Sequence, residues 1–112
     1  MEVCPGADTI HFLARKHMLK IIATLFFFFK PMRFSELRKE LKINSKTLTD
    51  RLRELTEVGF INRVMYDEIP VRVEYALTPS GEDLRDVFDA INLFDDKHYV
   101  QIQNSLVNKV KS

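Results

Sequence analysis

The sequence predicts a mainly α-helical chain that carries one small β-hairpin, and three observations predict it. In the stretch 44–59, Leu48, Leu52 and Leu55 recur at i, i+4 and i+7, behind a cap-forming Asn44 and ahead of a helix-ending Gly59. The stretches 61–66 and 72–78 are rich in β-branched and aromatic residues, and the five residues between them include Pro70. On either side of this centre, apolar residues fall at helical spacing within 7–29 and 79–110.

A chain of 112 residues suits one domain with a modest core, and its apolar and charged fractions are those of a globular protein. The nine-residue apolar run 21–29 is about half of what a membrane span needs, and it reads as a buried helix. Cys4 is the single cysteine, so no intramolecular disulfide can form, which points to a reducing, cytoplasmic home.

In chain order, Asp8 or Thr9 is expected to cap a first helix reaching about Lys16, with Ile10, Leu13 and His17 on one side. A second helix over about 17–29 places Met18, Ile21, Ile22, Leu25, Phe28 and Phe29 at helical spacing. Phe26 and Phe27 make it apolar nearly all round, as for a central helix, and four consecutive aromatics suit core or subunit contact better than a ligand pocket. Pro31 ends it, because proline lacks an amide proton and disfavours helical geometry just before it.

Ser35 is expected to cap a short helix through Leu41, with Phe34, Leu37 and Leu41 inward. Only Lys42 and Ile43 separate that helix from Asn44, so the two helices make a helix-turn-helix. The hairpin of 61–66 and 72–78 follows, with a tip at 67–71. Pro79 then opens another helix with the stripe Leu84, Val87, Phe88, Ile91 and Phe94. The last stretch, 98–110, either continues that helix or is separated from it by a break at Asp95-Asp96; periodicity does not choose.

Charge is unevenly distributed. The segment 30–53 has eight basic residues against three acidic ones, and 79–96 has six acidic residues against Arg85 alone. One part of the chain attracts a polyanion and another repels it.

Three helices, the helix of 44–59, a hairpin and a further helix follow one another in the order of a winged helix-turn-helix. The residues carry this further. Arg33-Phe34-Ser35-Glu36-Leu37-Arg38, the run from Lys46 through Leu48, Thr49, Arg51, Leu52, Arg53 and Glu54 to Leu55, and Gly59, Ile61 and Arg63 resemble the HxlR family of bacterial and archaeal transcriptional regulators. The likeness continues through Tyr66, Pro70, Arg72-Val73-Glu74-Tyr75, Leu77 and Thr78 to Gly81, and Cys4-Pro5 matches the family's usual N-terminal pair. Two positions depart from the pattern: His17 stands where the family usually has tryptophan, and the turn before the central helix is one residue short, which puts Asn44 rather than Ser45 at the cap.

The resemblance implies a DNA-binding regulator that works without chemistry or cofactor. Its recognition helix, 45–58, enters the major groove, with Ser45, Lys46, Thr47, Thr49 and Asp50 towards base edges and Arg53 on phosphate or a guanine edge. Arg33 and Ser35 hold phosphates. The wing, 67–72, reaches the adjacent minor groove or backbone with Arg72 as its cation. Arg63 and Arg51 have two readings, DNA contact or pairing with Glu54 or Glu57.

The resemblance further implies a homodimer on a pseudo-palindromic double-stranded operator. It would be joined through the first and last helices, 7–29 and 79–110, burying Ile10, Leu13, Phe88, Ile91 and some of the phenylalanines. In several family members the N-terminal cysteine senses oxidants or electrophiles; Cys4 has that reading, and the alternative of a small apolar residue at the dimer interface. An enzyme would need a nucleophile–base or carboxylate pair, and a metal sensor would need clustered Cys and His. His11, His17 and His98 are scattered and supply neither. The remaining alternative is a winged helix serving as a protein-interaction or architectural module.

Overall fold

The structure is a computed structural model that describes residues 6–111. It divides into two compact units, Met1–Glu82 and Asp83–Ser112. The first holds α1 (Ala7–Leu13), α2 (Met18–Phe28), β1 (Met32–Arg33), α3 (Phe34–Leu41), α4 (Ser45–Glu57), β2 (Ile61–Tyr66), β3 (Arg72–Leu77) and α5 (Pro79–Glu82). The second is built on one long helix, α6 (Arg85–Lys111).

Helix α1 starts and stops earlier than its residue types suggest. Gly6, at φ 84°, occupies the N-cap in a left-handed conformation that glycine takes without strain, so Asp8 and Thr9 fall inside the first turn. The helix ends at Leu13, and a tight turn through Ala14–Lys16 leads to His17, also left-handed at φ 68°. Helix α2 then runs to Phe28 and closes on a left-handed Phe29, whose amide donates to the Leu25 carbonyl at 3.2 Å.

The core of the first unit is aliphatic. Met18, Ile21, Ile22 and Leu25 of α2 are buried together with Leu13, Met32, Leu37, Ile43, Leu48, Leu52, Leu55, Ile61 and Tyr75. The phenylalanine run is not part of it: Phe27 and Phe29 are 81% and 77% exposed, and Phe26 and Phe28 are half-buried. Four successive residues sweep right round a helix, so at least one must point outward once a single face is packed.

Met32 and Arg33 form a short strand that the sequence reading missed. It pairs antiparallel with β3, Met32 opposite Tyr75 and Arg33 opposite Glu74, so the sheet has three strands in the order β1-β3-β2. Two residues carry no periodicity, and only their partner strand makes them a strand. The hairpin itself follows the expected limits, with Ile61 opposite Leu77 and Tyr66 opposite Arg72.

At the base of the hairpin, the Thr78 hydroxyl donates to the Gly59 carbonyl and accepts from the Gly81 amide at 3.1 Å, while Ser80 Oγ donates to the same Gly59 carbonyl at 2.9 Å. These bonds tie the end of β3 to the end of α4. Proline starts α5 as expected, but that helix has only four residues, and the interruption falls at Asp83-Leu84. Helix α6 runs unbroken through Asp95-Asp96. No helix among the described residues is long and apolar enough to cross a membrane.

Candidate nucleic-acid interface

Helix α4 is fixed from below and presented above. Leu48, Leu52 and Leu55 are almost wholly buried, each contributing roughly 1.5–3 kcal/mol of burial. Asn44 Oδ1 accepts from the Thr47 amide at 2.8 Å, the side-chain cap expected from the shortened turn. At the other end Gly59, at φ 88°, donates to the Thr56 carbonyl while the Phe60 amide reaches the Leu55 carbonyl at 3.0 Å. The helix is thus capped at both ends by residues the sequence marks.

Away from the leucines, Lys46, Arg53 and Glu57 are exposed on the far face of the helix, and Ser45 and Thr49 are exposed on its flank. Thr47 is half-buried and supplies the amide that the cap engages. Asp50 sits between two cations, with Lys46 Nζ 3.1 Å from Oδ2 and Arg53 Nη1 3.3 Å from Oδ1. The hydrogen bond from Lys46, with the two nearby positive charges, holds the Asp50 carboxyl below its ordinary range. The exposed face of α4 therefore carries a carboxylate with its charge met on both sides.

Arg51 takes the structural one of its two readings. Its Nη1 lies 3.0 Å from Glu54 Oε1, and the same oxygen is 3.2 Å from Arg15 Nη1 in the link after α1. Glu54 thereby ties α4 to the link after α1. Arg63 and Glu57 are exposed and form no salt bridge among the described residues.

Helix α3 carries the second half of the surface. Ser35 is its second residue and not its cap. The N-cap is Arg33, whose amide donates to Glu36 Oε1 at 2.8 Å. The carboxylate three residues on replaces the hydroxyl that the sequence pointed to. Arg33 and Ser35 remain exposed at this helix start.

Ser35 also lines a surface cleft of about 500 Å³ together with Arg38, Lys39, Lys42, Ile43 and Asn44. Sequence reading counted Arg38, Lys39 and Lys42 only as charge. Arg38 and Lys42 are one helical turn apart, on α3 and its C-cap, with Lys39 beside them, and Lys42 is left-handed at φ 55° where α3 ends. None of the three is in a salt bridge among the described residues.

Arg72 stands apart from these groups. It is opposite Tyr66 on the wing, with its guanidinium 4.0 Å from that ring's centre and Nη2 3.0 Å from Glu68 Oε2. Its charge is engaged within the hairpin.

Of the residues expected at a subunit contact, Ile10 and Ile91 are exposed, by 61% and 47%, and Phe88 is half-buried. Leu13 is 8% exposed and already packed within the chain. Cys4 lies outside the described residues. No cluster of histidine, cysteine and carboxylate side chains suited to a metal ion occurs among the described residues.

Comparison with known proteins agrees with this geometry. A family model described as HxlR-like helix-turn-helix matches residues 12–103. An uncharacterised HTH-type transcriptional regulator of Methanothermobacter thermautotrophicus is 46% identical over 61 residues, 54% of this chain and 47% of that protein, so the match spans about half of that relative's length. The uncharacterised HTH-type transcriptional regulator YtfH of Escherichia coli is 34% identical over 92 residues, covering 80% of this chain and 71% of its own. Among solved structures, the reduced form of the transcriptional regulator YodB from B. subtilis superposes with a TM-score of 0.75 at 31% identity, over 86% of this chain and 94% of that one; its diamide-treated form also matches, at 0.71 and 30% identity, over 87% and 96%.

Proposed function

We propose, from the premise that this chain belongs to the HxlR-like helix-turn-helix family of transcriptional regulators, that it binds double-stranded DNA in a sequence-specific way through α4 and regulates transcription without catalysis. The observation that carries the reading is the arrangement of one capped helix whose outward stripe is Ser45, Lys46, Thr49 and Arg53, beside a cleft holding three basic residues without salt bridges. An α-helix of this diameter fits the major groove, where base edges differ, and the basic flank supplies the sequence-independent grip on phosphate.

In this reading Ser45, Lys46, Thr47, Thr49 and Asp50 face bases, and Arg53 takes phosphate or guanine. Arg33, Ser35, Arg38 and Lys42 take the backbone. The hairpin lies along the neighbouring minor groove or backbone, with Arg72 shaping it from within. Two copies, meeting through faces that include Ile10, Phe88 and Ile91, engage two half-sites of a pseudo-palindromic operator about 34 Å apart. The chain acts in the cytoplasm, where its DNA is.

Gel-shift and anisotropy titrations against the gene's own upstream DNA test this. A specific complex of two copies per duplex is expected, weakening steeply with salt. Lys46→Ala and Arg53→Ala should each weaken it. Unchanged affinity in both would remove the recognition-helix assignment.

Cys4 serves as a thiol switch in the same reading. Its support is the likeness to a regulator solved in reduced and diamide-treated forms. Diamide should change operator affinity in the wild-type chain and leave Cys4→Ser unaffected; an equal response in both would end the sensor assignment.

A further inference from the structure

We infer that the wing tip meets DNA as an apolar wedge, Ile69 and Pro70 entering the minor groove beside each half-site, with no cation lodged there. The inference rests on the DNA-binding reading above and adds to it a specificity-determining residue, Ile69.

The hairpin is unusual in what it exposes. Ile69 projects fully into solvent, at 102% exposure, and Val64, Met65 and Val71 are exposed by 40%, 58% and 60%. Exposed single apolar residues are ordinary, and Val64 and Met65, adjacent on β2, face opposite sides of the hairpin, but Ile69, Pro70 and Val71 are exposed in succession at the tip. Ile, Met and Pro are also among the side chains that separate base steps when proteins widen the minor groove. Ile69 and Pro70 sit at the turn itself, and two six-residue strands of about 20 Å carry them beyond the body of the first unit.

Its charges point the same way. The tip 67–71 contains no lysine or arginine. Arg72, the nearest cation, lies 3.0 Å from Glu68, 4.0 Å from Glu74 and over the Tyr66 ring, with its side chain 30% exposed. Freeing it for phosphate would unmask two carboxylates beside a polyanion. Held in place, it neutralises Glu68 and stiffens the strands behind the tip, leaving Asp67 as the tip's single charge without an ion pair among the described residues. A contact built this way reads how readily a base step opens and how wide the groove is.

The test uses the full chain and a duplex selected by it from a random-sequence pool, with a second version in which inosine replaces guanine at the base pairs flanking each half-site. That exchange removes the guanine amino group from the minor groove and leaves the major-groove edge unchanged. Ile69→Ala should bind the selected duplex about tenfold more weakly, with an unaltered salt slope because no phosphate contact is lost. It should also lose the wild-type chain's discrimination between the two duplexes, and Ile69→Leu should restore both. Ile69 packs against nothing, so urea unfolding should not change. If Ile69→Ala binds within twofold of wild type and keeps the inosine discrimination while Lys46→Ala still weakens binding, the wedge is overturned and the DNA reading stands. If Ile69→Ala, Lys46→Ala and Arg53→Ala all leave affinity unchanged, both readings fall.

Discussion

Replacing Asp50 by asparagine should make the chain grip DNA of arbitrary sequence more tightly while reading sequence less well. Asp50 holds Lys46 at 3.1 Å and Arg53 at 3.3 Å, so one carboxylate restrains two cations of the α4 face proposed to meet the major groove. Removing its charge leaves one or both free for phosphate. Each added phosphate contact steepens the dependence of log K on log salt by about 0.9, so the slope should increase by about 0.9 to 1.8. Between 50 and 200 mM salt, that is an additional loss of about three- to twelvefold relative to wild type. Anisotropy titrations on a scrambled duplex at several salt concentrations measure it, and affinity at the lowest salt should rise. On a selected duplex the preference over scrambled DNA should shrink, since a carboxylate accepting from cytosine N4 is lost. An unchanged or shallower salt slope would show that Asp50 does not restrain these cations, and the account of the interface as a charge-balanced reading surface would fail.

Three further outcomes follow from the same geometry. Asn44→Ala removes the acceptor for the Thr47 amide and should cost about 1 kcal/mol in urea unfolding, with Asn44→Asp retaining most of it. Gly81→Ala would place a methyl group 2.0 Å from the Phe60 carbonyl oxygen, a backbone atom that cannot swing aside. It should therefore destabilise the chain by about 2–3 kcal/mol, whereas alanine at Gly59 meets no neighbouring atom and is strained only by φ 88°. His17 has its pKa held below the ordinary 6.5 by burial and then by Lys16, Lys20 and Arg51. The unfolded chain therefore takes up a proton that the fold resists: stability is full above that ordinary value and falls as pH drops through it towards the lowered one. The urea midpoint should be lower at pH 5.5 than at pH 7.5, and His17→Asn, which tolerates positive φ, should reduce the difference.

Helix α4 and the wing were legible in the residues because their signals are local. Leucines at one spacing, a capping side chain and a glycine that must turn left-handed are properties of neighbouring positions, as is the alternation of a hairpin. The resemblance to the HxlR pattern was legible for the same reason, since its motifs lie within those elements. Ser35 was misread because a hydroxyl and a carboxylate compete for the same helix end, and only the geometry shows Glu36 reaching the Arg33 amide.

What lay beyond the sequence was whatever depends on residues distant along the chain or on which group claims a charge. Strand β1 exists only because β3 lies beside it. The aliphatic face of α2 was fixed by what packs on it, which turned Phe27 and Phe29 outward. Composition supplied the number of cations around the turn, and the fold shows three of them lining one cleft with Ser35, Ile43 and Asn44. A formal charge says nothing of its neighbour, so Arg72 read simply as the wing's cation, while the fold sets Glu68, Glu74 and Tyr66 around it. The sequence by itself determined which helix presents a reading face. The tertiary structure decided which charges on and around that face are paired, because pairing is set by ångström distances that no spacing rule contains.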